Sequence, residues 1–353
     1  MVDYLVIGLG LAGLAFCETL EREGRSFRVI DDGGPAASRV AGGIYNPVVL
    51  KRLNKAWKAE LQLPLVAPFY SGLDEKLGTS CHHSIPIFRR FSSVEEQNQW
   101  VTAADSTALG AFLSAEIHRN KNPSLLAPYG LGEVSGTGRV DTGSLLSAYT
   151  GLLKTRGLLI PTRMDFGKLK LQDDSVDYDG VTARKIVFTE GFGLQENPYF
   201  NYLPLQGNKG EYLEINCPGL REVRIIKGPV FLIPLGDDNY LAGATYEYRY
   251  TDRSPSRKAR EYLCHKLDEL LTCPYTVCGQ SAGIRPTVPD RRALVGRHPL
   301  HKNLFVMNGF GSRGVMLAPY AARQLWQVAE EEGAVDPEID IARYASLRLT
   351  GNS

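Results

Sequence analysis

Gly8, Gly10 and Gly13 stand in the spacing GxGxxG near the start of the chain. In that spacing the first glycine permits a tight turn, the second lets a pyrophosphate approach the backbone, and the third lets a helix close on the preceding strand. The N–H groups that follow, at Leu11, Ala12 and Gly13, would open a helix whose free donors and dipole favour phosphate. Asp31, 18 residues beyond Gly13 and followed by Asp32, is placed to bond ribose hydroxyls. Its charge would repel a 2′-phosphate. These residues point to a dinucleotide, but they do not separate FAD from NAD.

Two arginines could do further chemistry. Arg285 stands between Ile284 and Pro286, and its planar fork of donors matches a carboxylate bidentately. It would hold a substrate carboxylate or pair structurally with Asp290. Arg313 lies in a glycine-rich loop, Gly309 to Gly314, and faces either the site or solvent. Tyr246 and Glu247 follow a strand and read as ordinary strand-end residues. Lys209 is expected to be solvated, His82 and His83 to lie on the surface, and His298 and His301 to flank Pro299 in a turn without catalytic duty. None of these spacings holds a metal.

The elements that must position these residues follow a simple pattern. Residues 3–7 read as a buried strand, Leu14, Cys17 and Leu20 mark a helix ended by Gly24, and 27–30 is a second strand. This is a βαβ unit. Helical stretches are expected around residues 50–73. Asp141 caps a helix through Leu145, Leu146, Tyr149, Leu152 and Leu153 that stops at Gly157, and 158–160 and 185–188 read as strands. From about residue 200 the texture changes to short strands at 211–215, 230–235 and 240–244. Ser254 and Pro255 are expected to open a helix through Ala259, Leu263, Leu267 and Leu270. A strand at 304–307 and a helix over 315–331 close the pattern.

The chain has 353 residues and a net charge of +1, from 40 Lys+Arg against 39 Asp+Glu. That balance gives no global attraction to nucleic acid or anionic membrane, though a local basic patch is compatible with it. The six cysteines form no CxxC pair, so reduced thiols in a cytoplasm are expected, with Cys273 and Cys278 packed in a strand. The apolar stretch over residues 4–16 lacks a basic n-region and is interrupted by three glycines, which argues against a signal peptide. No apolar run reaches the length of a membrane span.

Three further segments carry a resemblance. They are Ser38-Arg39-Val40-Ala41-Gly42-Gly43-Ile44, Ala282-Gly283-Ile284-Arg285-Pro286-Thr287 through Asp290, and Asn308-Gly309-Phe310-Gly311-Ser312-Arg313-Gly314-Val315 with Ala318-Pro319. With the N-terminal loop, and in the same order, they resemble the D-amino-acid oxidase superfamily of flavoenzymes, which includes glycine oxidase and sarcosine oxidase. Gly243-Ala-Thr-Tyr-Glu247 and Gly43-Ile-Tyr-Asn-Pro47 extend the similarity to the oxidase half of the bifunctional enzyme that finishes 5-methylaminomethyl-2-thiouridine at the tRNA wobble position.

The resemblance implies FAD as cofactor. It implies that Ser38, Arg39, Ala41, Gly42 and Gly43 run past the pyrophosphate toward the flavin, and that Phe166 ends a strand whose backbone meets the adenine. It also implies that Gly191 returns to the cofactor and that Gly309, Gly311, Ser312, Arg313, Gly314 and Val315 set N–H groups beside the flavin N1/O2 edge. Glu190 departs from the small residue expected before Gly191. Members that attach FAD covalently use a cysteine near the last loop. None follows Cys278, so non-covalent FAD is expected.

The implied activity is oxidation of an amine α to a carboxylate by hydride transfer to flavin N5. Arg285 would hold the carboxylate, and oxygen would be the electron acceptor. The alternatives are a tRNA-modifying flavoprotein acting on 5-carboxymethylaminomethyl-uridine, a NAD-dependent dehydrogenase, and a non-catalytic FAD-binding protein. The expected fold is α/β. A discontinuous Rossmann-type FAD domain would comprise 1–50, 138–200 and 281–353. A substrate domain with an antiparallel sheet would comprise 51–137 and 201–280.

Overall fold

The computed structural model describes residues 1–250, 252–331 and 333–350. Strand Val2–Ile7, helix α1 (Leu11–Arg22) and strand Phe27–Ile30 form the first βαβ unit, with Val6 opposite Val29. On its other side Val6 faces Val187 of the parallel strand Val181–Phe188. Tyr4, Leu5 and Val6 are all fully buried, because a parallel sheet is covered on both faces and its strands must be apolar throughout.

Among the described residues this first sheet has eight strands. Leu159–Ile160 adds parallel beyond Phe27–Ile30, and Leu304–Asn308 adds parallel beside Val181–Phe188. The antiparallel strands Leu169–Leu171, Val176–Tyr178 and Leu294–Arg297 complete it. One face packs on α1, α2 (Ala59–Leu77), α4 (Thr142–Thr155) and α6 (Gly314–Glu330). Residues 194–205 cover part of the other.

The second sheet also has eight strands among the described residues. Their order is Thr276–Thr287, Gln206–Asn216, Asn239–Gly243, Phe231–Gly236, Ile225–Lys227, Ile87–Arg90, Leu131–Val134 and Leu113–His118. Pairing is antiparallel except between Ile225–Lys227 and Ile87–Arg90. The sheet is therefore mixed, and residues 87–134 supply three of its strands. Strand Thr276–Thr287 belongs to this sheet along its whole length. One face packs on α5 (Arg257–Asp268), and the other on α3 (Val94–Ala104) and residues 44–53.

Several local expectations are corrected. The turn at residues 50–53 and the chain up to Lys58 lie outside α2, which starts at Ala59 and runs through Pro64 and Pro68. Helix α5 starts two residues later than expected, capped by Ser256, whose Oγ accepts from Ala259 N. Ser256 is selected because Glu211 holds it, accepting from Ser256 N and Oγ at 2.8 Å each. Cys278 lies exposed on its strand, and Cys273 lies outside any strand, its Sγ 3.4 Å from that of Cys217. His82 and His83 are half-buried on a short strand rather than on the surface, with His82 bonded to Tyr45 and Ser71. No helix among the described residues is long and apolar enough to cross a membrane.

Candidate active site

The strand-to-helix turn at Gly8 shows why glycines stand there. Gly8 has φ +94°, and a Cβ on it would lie 2.9 Å from Thr189 O. A Cβ on Gly13 would lie 2.1 Å from Gly8 O, inside any permitted contact. Gly10 differs: a Cβ there would meet only Ser38, at 3.2 Å from Oγ. Gly8 and Gly13 serve the protein's own packing, while Gly10 leaves a cradle that a side chain would fill. Thr189 holds the turn from below, its hydroxyl donating to Ile7 O and Gly8 O at 2.8 and 2.6 Å.

Around that cradle the structure gathers Asp31, Ser38 and Arg39. Asp31 accepts from Leu9 N at 2.6 Å and Gly33 N at 2.8 Å, and Arg39 lies 3.8 Å from it. Ser38 Oγ accepts from Leu11 N. Asp32 turns outward and accepts from Gly34 N. Ala41 O accepts from the Thr142 hydroxyl. Gly43, at φ +69°, passes so close to Val140 that a Cβ would lie 1.8 Å from Val140 O.

A second helix start faces the same place. Gly314, the first residue of α6, would meet Leu11 with its Cβ at 3.2 Å, so α1 and α6 begin side by side. Neither has a side-chain N-cap, whereas α3, α4 and α5 are capped by Ser93, Asp141 and Ser256. Two bare helix N-termini converge, each with free donors and a positive dipole end. The loop before α6 is tied in at both ends. Asn308 Nδ2 donates to Gly191 O at 2.9 Å, and Gly311 N donates to Pro286 O at 2.8 Å. Gly191, Gly309 and Gly311 all have positive φ, Ser312 is exposed, and Val315 is buried. These features fit an elongated dianionic cofactor whose pyrophosphate crosses Gly10 and whose far end reaches the α6 start.

The second sheet fronts this crevice. A Cβ on Gly42 would touch Ile233 Cδ1 at 2.8 Å and Tyr212 Oη at 3.0 Å. On the same face Arg285 spreads over Gly210, where a Cβ would lie 2.0 Å from Nη2. Arg285 is 9% exposed and donates to Asn208 Oδ1 at 2.7 Å and Thr245 O at 3.1 Å. Its guanidinium lies 4.5 Å from the ring centre of Tyr246, which is 65% exposed. No carboxylate lies within 4 Å of Arg285 or Arg313 among the described residues; Asp290 instead pairs with Arg343 and bonds Tyr344. Arg313 is half-buried, and burial pulls its pKa below the usual arginine value. Tyr212, whose phenol is pushed up by burial, lies near enough to Arg285 to feel its charge.

Two placements differ from expectation. Lys209 is 3% exposed, not solvated, and its ammonium meets Ser254 O, Asp252 and Glu211 at 2.5, 3.2 and 3.5 Å. It faces α5, on the side of the sheet away from Arg285. Phe166 opens a single 3-10 turn, not a strand end, because Asp165 accepts from Gly167 N and bends the chain there. Its ring stacks on Phe188 at 6.1 Å. Sequence reasoning missed Asn208, Gly210, Tyr212 and Thr189. The pattern Asn-Lys-Gly-Glu-Tyr alternates toward the face of Arg285, but only the pairing of Asn208 with Arg285 and Gly210 with Gly283 reveals it.

Glu190 is a carboxyl enclosed just beyond strand Val181–Phe188. Asn197 Nδ2 donates to it at 2.7 Å, yet burial pushes its pKa up to about 7. The raised value means that the folded protein keeps a proton which the unfolded chain releases above about pH 4.5. Its contribution to stability is full below that pH and is lost as pH rises through 7, by at most about 3 kcal/mol. Glu190→Gln should therefore gain thermal stability relative to wild type between pH 5 and pH 8.5. Melting curves at both pH values check this, and a gap between the two proteins that does not change with pH would refute it.

Comparison with known proteins agrees with this geometry. Residues 3–327 match the DAO family, described as FAD dependent oxidoreductase. Glycine oxidase of Pseudomonas putida is 31% identical over 147 residues, a segment covering 40% of this chain and 39% of that enzyme. The tRNA 5-methylaminomethyl-2-thiouridine biosynthesis bifunctional protein of Azoarcus sp. is 25% identical over 91% of this chain, which spans only 56% of that protein. The crystal structure of glycine oxidase from Geobacillus kaustophilus superposes with a TM-score of 0.77 at 19% identity, over 97% of each chain. With the family matched across nearly the whole chain and a dinucleotide cradle between two uncapped helices, this protein belongs to the DAO family of FAD-dependent oxidoreductases.

Proposed function

We propose that this oxidoreductase acts on a small amine whose nitrogen stands α to a carboxylate, such as an amino acid or an N-substituted glycine. One observation carries the reading. Arg285 is a buried guanidinium facing the flavin crevice with only neutral partners, Asn208 and Thr245. A buried charge without a counter-ion is unfavourable, and a substrate carboxylate would supply one. The names of relatives that act on glycine agree with it.

Bound FAD would supply the acceptor for a hydride from the substrate's α-carbon. Arg285 would fix the carboxylate bidentately, and Asn208 would fix Arg285. Tyr246 would cover the guanidinium from solvent. Ile233 and Tyr212, against Gly42, would set the distance between substrate and flavin. The start of α6 would stabilise negative charge at the reduced cofactor's edge. An amine bound in its neutral form needs no protein base. We take the FAD-binding unit as 1–50, 138–200 and 281–353 and the substrate unit as 51–137 and 201–280; α2 packs on the first sheet, and strand Thr276–Thr287 of the second sheet crosses from one unit to the other at residue 281.

Anaerobic mixing with a panel of amino acids and N-alkyl glycines tests the proposal. At least one should bleach the oxidised flavin band, and admission of oxygen should restore it with release of peroxide. No bleaching by any α-carboxylated amine would sink it. The cofactor is held without a covalent bond: the last cysteine, Cys278, lies exposed on a strand. Acid or heat should release all of the flavin into the supernatant, and flavin retained on the precipitated protein would contradict this.

A further inference from the structure

The site face of the second sheet carries another cation that the proposed chemistry leaves unused. Side chains directly opposite each other on neighbouring strands share a face. Tyr212 is opposite Gly243, Gly243 opposite Phe231, Phe231 opposite Lys227, and Lys227 opposite Arg89. Lys227 therefore lies in one row with Tyr212, on the face that Gly42 touches. Tyr212, Phe231, Leu241 and Lys227 are each only half-buried although they lie on central strands of an eight-stranded sheet. That exposure fits a face that lines a cleft, with Lys227 and Phe231 at facing strand ends.

Lys227 is poorly compensated in that cleft. Its ammonium donates to Gly228 O at 2.9 Å and lies 4.9 Å from the ring centre of Phe231. No carboxylate is within 4 Å of it among the described residues. Glu96, whose charge acts on it, is held by Arg89 at 2.7 Å and by Ser92. Burial, and then the charge of Arg89, pull the amine down to about 8. At neutral pH it still carries most of a positive charge, in a place that water solvates poorly, and no protein anion is provided.

We propose that Lys227 forms a distal anion subsite, and that the substrate is an amine bearing a second acidic group beyond the α-carboxylate. The proposal rests on Arg285 as the anchor of the first carboxylate. Two strands and one two-residue step separate Gly210, under Arg285, from Phe231, under Lys227. At ordinary strand spacing and rise the two cations lie on the order of 12 Å apart. A chain of several bonds between the two acidic groups would bridge them, with Tyr212 and Phe231 along its middle.

The test is calorimetric titration of the FAD-loaded protein with straight-chain α,ω-dicarboxylates from glutarate to suberate, each beside the monocarboxylate of the same carbon number. The wild type should favour the best dicarboxylate by about tenfold or more, as a charge-assisted contact in a dry site does. Lys227→Met should bring that ratio to within about twofold of one while monocarboxylate binding moves little, and Lys227→Arg should keep the preference. An undiminished preference in Lys227→Met, or none in wild type, overturns the subsite. Arg285→Ala separates the two readings: it should weaken both series. If it weakens neither, the anchor falls whatever Lys227 does, and if wild type binds neither series both readings fall.

Discussion

Gly10→Val is expected to yield a folded protein without flavin, and Gly13→Val is expected to yield no stable protein. The difference follows from what each missing Cβ would meet. At Gly10 the only neighbour is Ser38, at 3.2 Å from a hydroxyl that can turn aside, so the empty fold tolerates the larger residue. The space it would take is the path of the pyrophosphate, and FAD affinity should fall on the order of a hundredfold or more, about 3 kcal/mol. At Gly13 the new atom would stand 2.1 Å from the Gly8 carbonyl oxygen. Backbone cannot yield there without separating α1 from strand Val2–Ile7, whose central side chains are fully buried, so the cost exceeds about 4 kcal/mol. Flavin-to-protein ratio, circular dichroism and the thermal midpoint of both variants decide the matter. Full flavin occupancy in Gly10→Val would show that the cofactor does not cross that glycine.

Arg285→Ala should lose on the order of thirtyfold or more in kcat/KM toward an α-carboxylated amine, since truncating one partner of a desolvated charge pair removes roughly 2–5 kcal/mol. KM should rise strongly, and kcat should fall too if the carboxylate also sets the geometry of hydride transfer. Arg285→Lys should recover only part of the loss. A lysine keeps the charge but cannot make the planar double contact, and it cannot bond Asn208 and Thr245 together as Arg285 does. Flavin content should be unchanged in both variants, because Arg285 lies on the second sheet and the cradle lies on the first. Equal kcat/KM in wild type and Arg285→Ala would refute the anchor. Loss of flavin or of folding would assign Arg285 a structural task, as the brace between strands Gln206–Asn216 and Thr276–Thr287.

Much of the dinucleotide half was legible because its determinants are local. A strand, a GxGxxG turn, a helix and an acid at the next strand's end lie within 31 residues, and Gly8 and Gly13 are required by contacts made inside that unit or just beneath it. The order of the later motifs was legible for a related reason: a chain that returns to the same crevice needs glycine wherever backbone passes close. Gly43 against Val140, and Gly309 against Leu294 before α6, are such places.

What the tertiary structure alone decided is the environment of the charged side chains. Lys209 and Arg285 are both cations on long strands of mixed composition, and nothing in their neighbours along the chain says which is solvated, paired or unpaired. Strand pairing sends Lys209 to the α5 side, where Glu211 and Asp252 meet it, and sends Arg285 to the opposite face over Gly210, where only neutral oxygens do. Lys227 acquires its position in the same way, through three successive pairings that join residues far apart in the chain. Side chains alternate across a strand with period two, so a residue's face is readable only once its register is known. Register between distant strands depends on turns, bulges and packing summed over the whole molecule. For that reason the amino-acid order names the cofactor's cradle, while the face that would meet the substrate exists only in the assembled sheet.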